Sequence, residues 1–204
     1  VKEAMLKLHG DAYRFRDKMG LVIFKEMGAV VVQHPTPNLR LVANKLFRLR
    51  MSGFTPLAAG MLKALEVLKD AKRRDASAVP VMVIMTDGDA NVPLKRDLQT
   101  GEIREFDALD VSFFMYEEEA VKDVISVSRM IKRERIHTVV ISMPSSTEMP
   151  PSHGSITTRM IASTTEGTFH EVVPSALMHE REPKSEIYET ILRAERQISE
   201  GHSR

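Results

Sequence analysis

Two acids, Asp87 and Asp89, stand directly after an unbroken apolar run, Val81 to Met85, in the segment VMVIMTDGDAN. Carboxylates placed this way can do two kinds of chemistry. They can hold a hard divalent cation, or the first can act as a nucleophile and the second as a general acid. A further candidate, Thr55, lies in the turn Gly53-Phe54-Thr55-Pro56-Leu57 just ahead of a helical pattern. A hydroxyl and a carboxylate on neighbouring loops can share Mg²⁺, which takes a few protein oxygens and keeps several waters. Plainer readings exist for both. Asp-Gly and Asp-Ala-Asn form turns, and Thr55 could N-cap the following helix with Pro56 in its first turn.

The elements around these residues explain why they could meet. Val81–Met85 reads as a strand buried on both faces, with the acids emerging at its C-terminal end. In open α/β sheets ligands bind at that end. The periodicity predicts a helix over 2–17, strands over 21–24 and 29–33 joined by a tight turn, and a helix over 39–49. So short a link demands antiparallel pairing, and Pro35 ends the second strand. Ala58, Met61, Leu62, Leu65 and Leu68 mark another helix, which ends in the solvated basic stretch Lys69–Arg74. Residues 92–114 are polar and irregular. A helix follows over 117–135, with acids at its start and bases at its end, then a buried strand over 138–142 and a Ser/Pro-rich loop over 145–155. A helix over 156–165 with Gly167 as its C-cap, a strand over 168–173 and a last helix over 184–200 complete the chain. This alternation predicts a three-layer α/β domain with a mostly parallel sheet and one antiparallel edge strand, Rossmann-like in layering. The domain is expected to span 1–180, with 181–204 a C-terminal helix.

Composition narrows the function classes. The chain has 204 residues, is 43% hydrophobic and 28% charged, and carries a net charge of +1. That length supports one core, and that charge gives no global field for nucleic acid or membranes. Cysteine is absent, which excludes disulfides and thiolate metal sites. No apolar run approaches the ~20 residues of a membrane span, and the N-terminus does not read as a signal peptide, so a cytoplasmic location is expected. The seven histidines lack paired ligand spacing. The serines lack a nucleophile elbow, and the glycines make neither a dinucleotide fingerprint nor a phosphate loop.

The segment Met51–Asn91, MSGFTPLAAGMLKALEVLKDAKRRDASAVPVMVIMTDGDAN, resembles the von Willebrand factor A domain at the C-terminus of the magnesium chelatase D subunit. The turn and helix of G-x-TPLAAG, followed by a strand ending in TDG-x-AN, form a specific pairing. GLVIFKEMGAVVV stands where that family has a strand hairpin. The resemblance is good over about 1–92 and looser over 136–174. Residues 93–135 are longer than the family pattern, and the tail after 180 adds nothing to it.

The resemblance implies a metal-ion-dependent adhesion site. In the family an Asp-x-Ser-x-Ser loop after the first strand, a Thr on a second loop and the Asp of the TDG turn hold Mg²⁺. One metal position stays open for a partner's carboxylate. By position Thr55 matches the Thr and Asp87 the TDG Asp, with Asp89 and Asn91 shaping the loop and Asp89 a further metal candidate. The implied partners are an AAA+ ATPase subunit and a large tetrapyrrole-binding subunit, in a complex that inserts a metal into a tetrapyrrole. Neither nucleic acid nor membrane is implied.

The Asp-x-Ser-x-Ser loop is not among these residues; by the family pattern it would end just upstream of Val1. Two of the five ligand positions are therefore matched, and weak Mg²⁺ binding is expected. Without the strand that carries that loop, a gap of roughly 9.5 Å would separate strands that it bridges, unless the strands close up into another arrangement. Two alternatives to docking are a haloacid-dehalogenase-like phosphatase using Asp87 and Asp89, and a degenerate scaffold.

Overall fold

The computed structural model describes residues 17–47, 54–104, 117–143 and 153–171. The helix expected over 184–200, the domain limit at 180 and all but Asp17 of the helix expected over 2–17 lie outside these residues. So does most of the loop expected over 145–155.

The chain first forms a hairpin. Strands β1 (Met19–Lys25) and β2 (Gly28–Thr36) pair antiparallel through a two-residue turn. Glu26 takes up the turn's left-handed conformation with φ 54°. β2 runs on through Pro35 to Thr36, past the expected stop at Gln33. The register shifts around Leu21, and a proline without an N–H is tolerated in a strand beside such an irregularity. Helix α1 (Leu39–Phe47) follows. Its Lys45 Nζ donates to the Val32 carbonyl and to Gln33 Oε1, each at 2.7 Å, pinning the helix to β2.

Helix α2 (Leu57–Arg74) joins the two halves of the fold. It buries Leu57, Ala58, Met61 and Leu65 and packs on β1, β2 and β3. Its Gly60 sits against the Phe24 ring, where an added Cβ would fall 2.4 Å from Cδ1. The TPLAAG glycine is therefore a packing requirement in the first turn of the helix, which outweighs its unfavourable helix propensity.

Strands β3 (Val81–Thr86), β4 (His137–Ser142) and β5 (Thr168–Glu171) form a parallel sheet in that order. Helices α3 (Glu117–Arg133) and α4 (His153–Thr165) connect them. Met82, Ile84, Val140, Val124, Val127, Ile131 and Ile161 make the main core between sheet and helices. The expectation that β3 is buried on both faces fails. Met82, Ile84 and Thr86 are buried, but Val83 is 44% exposed; among the described residues β3 has a neighbouring strand on one side only. The expected antiparallel part is the β1–β2 pair. It is a separate two-stranded sheet, and β1 does not pair with β3. The strands have thus not closed up among the described residues.

Gly167 was expected as a helix C-cap. The left-handed residue is instead Glu166, φ 54°, while the Gly167 N–H donates to the Ala162 carbonyl at 2.9 Å. Glycine is required at 167 because a Cβ there would lie 2.2 Å from the Thr138 carbonyl oxygen. Gly167→Ala must push α4 or β4 aside and is expected to cost about 1–3 kcal/mol. A lowered urea midpoint with unchanged slope would register it; an unchanged midpoint would contradict it.

Candidate metal-binding docking site

β3 delivers its last residue, Thr86, to the carboxyl edge of the parallel sheet. The Thr86 carbonyl accepts from the Met143 N–H at 2.9 Å, which ties this strand end to the exit of β4. Thr86 Oγ1 accepts from the Gly88 N–H at 3.0 Å. Gly88 has φ 86°, a conformation that favours glycine, so the TDGD spacing is also a backbone requirement. Ala90 N–H then donates to the Gly88 carbonyl at 2.8 Å and tightens the turn. Asp87 is half-buried and Asp89 exposed. Asp87 Oδ1 accepts long bonds of 3.4 Å from Thr86 Oγ1 and the Asp89 N–H.

Thr55 is brought to the same place by the start of α2. The cap position of α2 falls on Pro56, with no side-chain cap bond, so the reading of Thr55 as N-cap is corrected. The Thr55 carbonyl accepts from Leu57 N–H at 2.8 Å. Asn91 then joins the two loops from both sides. Its Oδ1 accepts from the Thr55 N–H at 2.8 Å, and its own N–H donates to the Thr55 carbonyl at 3.4 Å. The hydroxyl loop and the carboxylate loop are thus one hydrogen-bonded unit.

The donors offered, a hydroxyl and carboxylates, are hard oxygens of the type Mg²⁺ takes. They supply only part of an octahedron. No group of three or more His, Cys, Asp or Glu converges among the described residues.

A second polar structure supports the loop from behind, and the sequence did not disclose it. Residues 95–104 turn back in a short hairpin closed by an Arg96–Ile103 bridge, where an irregular stretch was expected. Asp123, on the inner face of α3 and 3% exposed, accepts from the Leu94 N–H at 2.7 Å and from Arg104 Nη1 at 2.5 Å. Arg104 Nη2 reaches Asp97 Oδ2 at 2.5 Å. Burial opposes the Arg104 charge, but Asp123 and then Asp97 outweigh it and raise its pKa. The one readable trace of this cluster is an acid set among the apolar positions of α3.

Within the hairpin, Asp97 Oδ1 accepts from the Thr100 and Gln99 N–H groups at 2.9 and 2.7 Å. These bonds, then Arg104, lower its pKa from 3.8 to about 2. A depressed carboxyl pKa adds stability above the unfolded value and loses it as pH falls through the folded one. The hairpin is therefore expected to stay locked down to pH 3.8 and to loosen between there and about pH 2. The Asp97 carboxyl ¹³C shift should titrate near the lower value; a midpoint at the ordinary aspartate value would contradict the hairpin geometry.

Comparison with solved structures matches this architecture to the von Willebrand factor A domain of SpRpn10. The TM-score is 0.55 at 10% identity, covering 93% of this chain and 82% of that one. The chain therefore has a von Willebrand factor A-type fold. In sequence it is similar to the magnesium-chelatase 60 kDa subunit of Rhodobacter capsulatus, 36% identical over 94 residues, 46% of this chain and 16% of that protein. It is also similar to the magnesium-chelatase 67 kDa subunit of Heliobacterium mobile, 27% identical over 141 residues, 69% of this chain and 19% of that protein. An uncharacterized protein of Mycobacterium tuberculosis is 37% identical over 90 residues, 44% of this chain and 14% of that protein. The chain thus spans less than a fifth of the length of each of these three relatives. No protein-family model matches it. None of its described helices is long and apolar enough to cross a membrane.

Proposed function

We propose that this domain docks a partner protein through a shared Mg²⁺ ion, within a chelatase-type complex whose AAA+ ATPase subunit supplies the energy for metal insertion into a tetrapyrrole. The observation that carries this reading is the Asn91 link between Thr55 and the loop that follows Asp87. It holds a hydroxyl loop and a carboxylate loop together at the ligand-binding edge of a von Willebrand A-type fold. The sequence similarity to magnesium-chelatase subunits supports the choice of complex.

In this reading Thr55 and Asp87 help hold the ion, Asp89 lies close enough in sequence to add a water-mediated contact, and Asn91 fixes the distance between the two loops. The ion supplies a positive point that a partner's carboxylate can complete. The domain itself does no covalent chemistry, acts in the cytoplasm, and recruits the ATPase and a large tetrapyrrole-binding subunit. No structural observation favours the phosphatase alternative: its only support is the Asp87–Asp89 spacing, and the fold is of another type.

The test is surface-immobilised protein exposed to a chelatase-type AAA+ subunit in Mg²⁺ and in EDTA. Binding that requires Mg²⁺ is expected. Equal binding in EDTA would support the scaffold reading instead.

A further inference from the structure

The parallel strands and the helices antiparallel to them separate charge along the molecule. Helices α2 and α3 both end at the edge where β3 and β4 begin, opposite the Asp87 loop. α2 finishes in Lys72, Arg73 and Arg74 and α3 in Lys132 and Arg133, followed by Arg135. Bases here suit the helix dipoles, so their presence alone marks no site. Two further observations do.

The first is what the bases surround. Between the two helix ends lies a recess of about 250 Å³, floored by Leu68, Pro80 and Ile136 and rimmed by Lys69, Lys72, Arg73 and Glu134. Beside Pro80, Val79 is 58% exposed, a large apolar side chain left in water. The second is how the charges are paired. Lys69 pairs with Glu134, Arg73 with Asp70 and Lys132 with Glu166. Lys72, Arg74, Arg133 and Arg135 are exposed and in no ion pair among the described residues. Dipole compensation accounts for bases near a helix end. It does not account for an apolar recess beside Lys72 or for an exposed valine next to Pro80 in sequence.

We infer that this pole is a second docking surface, and that it takes an acidic protein segment carrying apolar side chains. Its carboxylates would meet Lys72, Arg74, Arg133 and Arg135, and an apolar side chain would cover Val79 and enter the recess. Complementary charge steers such an encounter, and the apolar contact holds it. The rim acids Glu134 and Asp70 interrupt the positive field, which disfavours the evenly spaced phosphates of a duplex. This inference does not rest on the metal-dependent reading, since the two surfaces lie at opposite edges of the sheet.

The test uses a fluorescein-labelled peptide of Glu-Glu-Leu repeats and its anisotropy with the whole protein. Binding is expected to be unchanged by EDTA, so its failure is separable from failure of the metal site. A variant with Lys72→Glu, Arg74→Glu, Arg133→Glu and Arg135→Glu changes exposed positions only, and circular dichroism checks its fold. It should bind about tenfold more weakly or worse. Val79→Ser should weaken binding severalfold, and Glu-Glu-Ser repeats should bind as weakly as the Leu peptide does to that variant. The inference is overturned if the protein does not bind the Leu peptide, or if the charge-reversed variant binds it equally. It is also overturned if Glu-Glu-Ser repeats, a duplex DNA fragment or phosphatidylglycerol vesicles bind as well as the Leu peptide.

Discussion

Asp123→Ala is expected to destabilise the fold by roughly 1–3 kcal/mol, the cost of leaving a buried donor without its acceptor. The variant leaves Arg104, whose side chain is 20% exposed, with Asp97 as its remaining carboxylate, and deprives the Leu94 N–H of its acceptor. Asp123→Asn should cost less, because an amide oxygen can still accept from Leu94 but brings no charge to Arg104. Urea unfolding measures the loss. Hydrogen exchange should also rise at Asn91–Leu94, the run that Asp123 holds against α3. A loss below about 1 kcal/mol, the range of an exposed pair, would mean that the cluster does not carry the hairpin.

The second large effect concerns binding. Asp87→Ala is expected to weaken Mg²⁺-dependent docking to the AAA+ subunit at least about tenfold, roughly 1.4 kcal/mol or more, with little change in stability. Among the described residues its carboxylate receives two long hydrogen bonds of 3.4 Å, so folding should depend little on it. Asn91→Ala should act differently. It removes the acceptor for the Thr55 N–H, so both docking and the stability of the turn should fall. Docking measured for both variants in parallel with thermal unfolding separates a ligand from a positioning residue. Docking unaffected by Asp87→Ala would leave the domain a metal-independent scaffold.

The parts that follow from local periodicity were legible in the sequence. The hairpin, α2, β3, α3 and β4 lie where their apolar spacing and turn residues put them, because each buries one stripe or run against the core. What escaped depends on contacts between distant segments. Val83 is apolar yet 44% exposed, which its place in an apolar run does not foretell. Gly167 looked like a cap, but its demand comes from Thr138, far away in sequence. Asp123 stands among apolar helix positions, and its partners appear only once residues 94–104 fold back onto it. Thr55 and Asp87 were visible as chemistry, and Asn91 as a loop residue. The hydrogen bonds that make them one unit needed the tertiary structure.

In the proposed function Thr55 and Asp87 jointly hold a hard cation at the carboxyl edge of the sheet. Titrating Mn²⁺ into the ¹⁵N-labelled protein tests it most directly, because Mn²⁺ takes the same oxygen donors and broadens the amide signals nearest to it. Broadening centred on residues 54–56 and 87–91, reversed by excess Mg²⁺ and lost in Asp87→Ala, is the predicted result. Broadening centred elsewhere, or unchanged by Asp87→Ala, would contradict it.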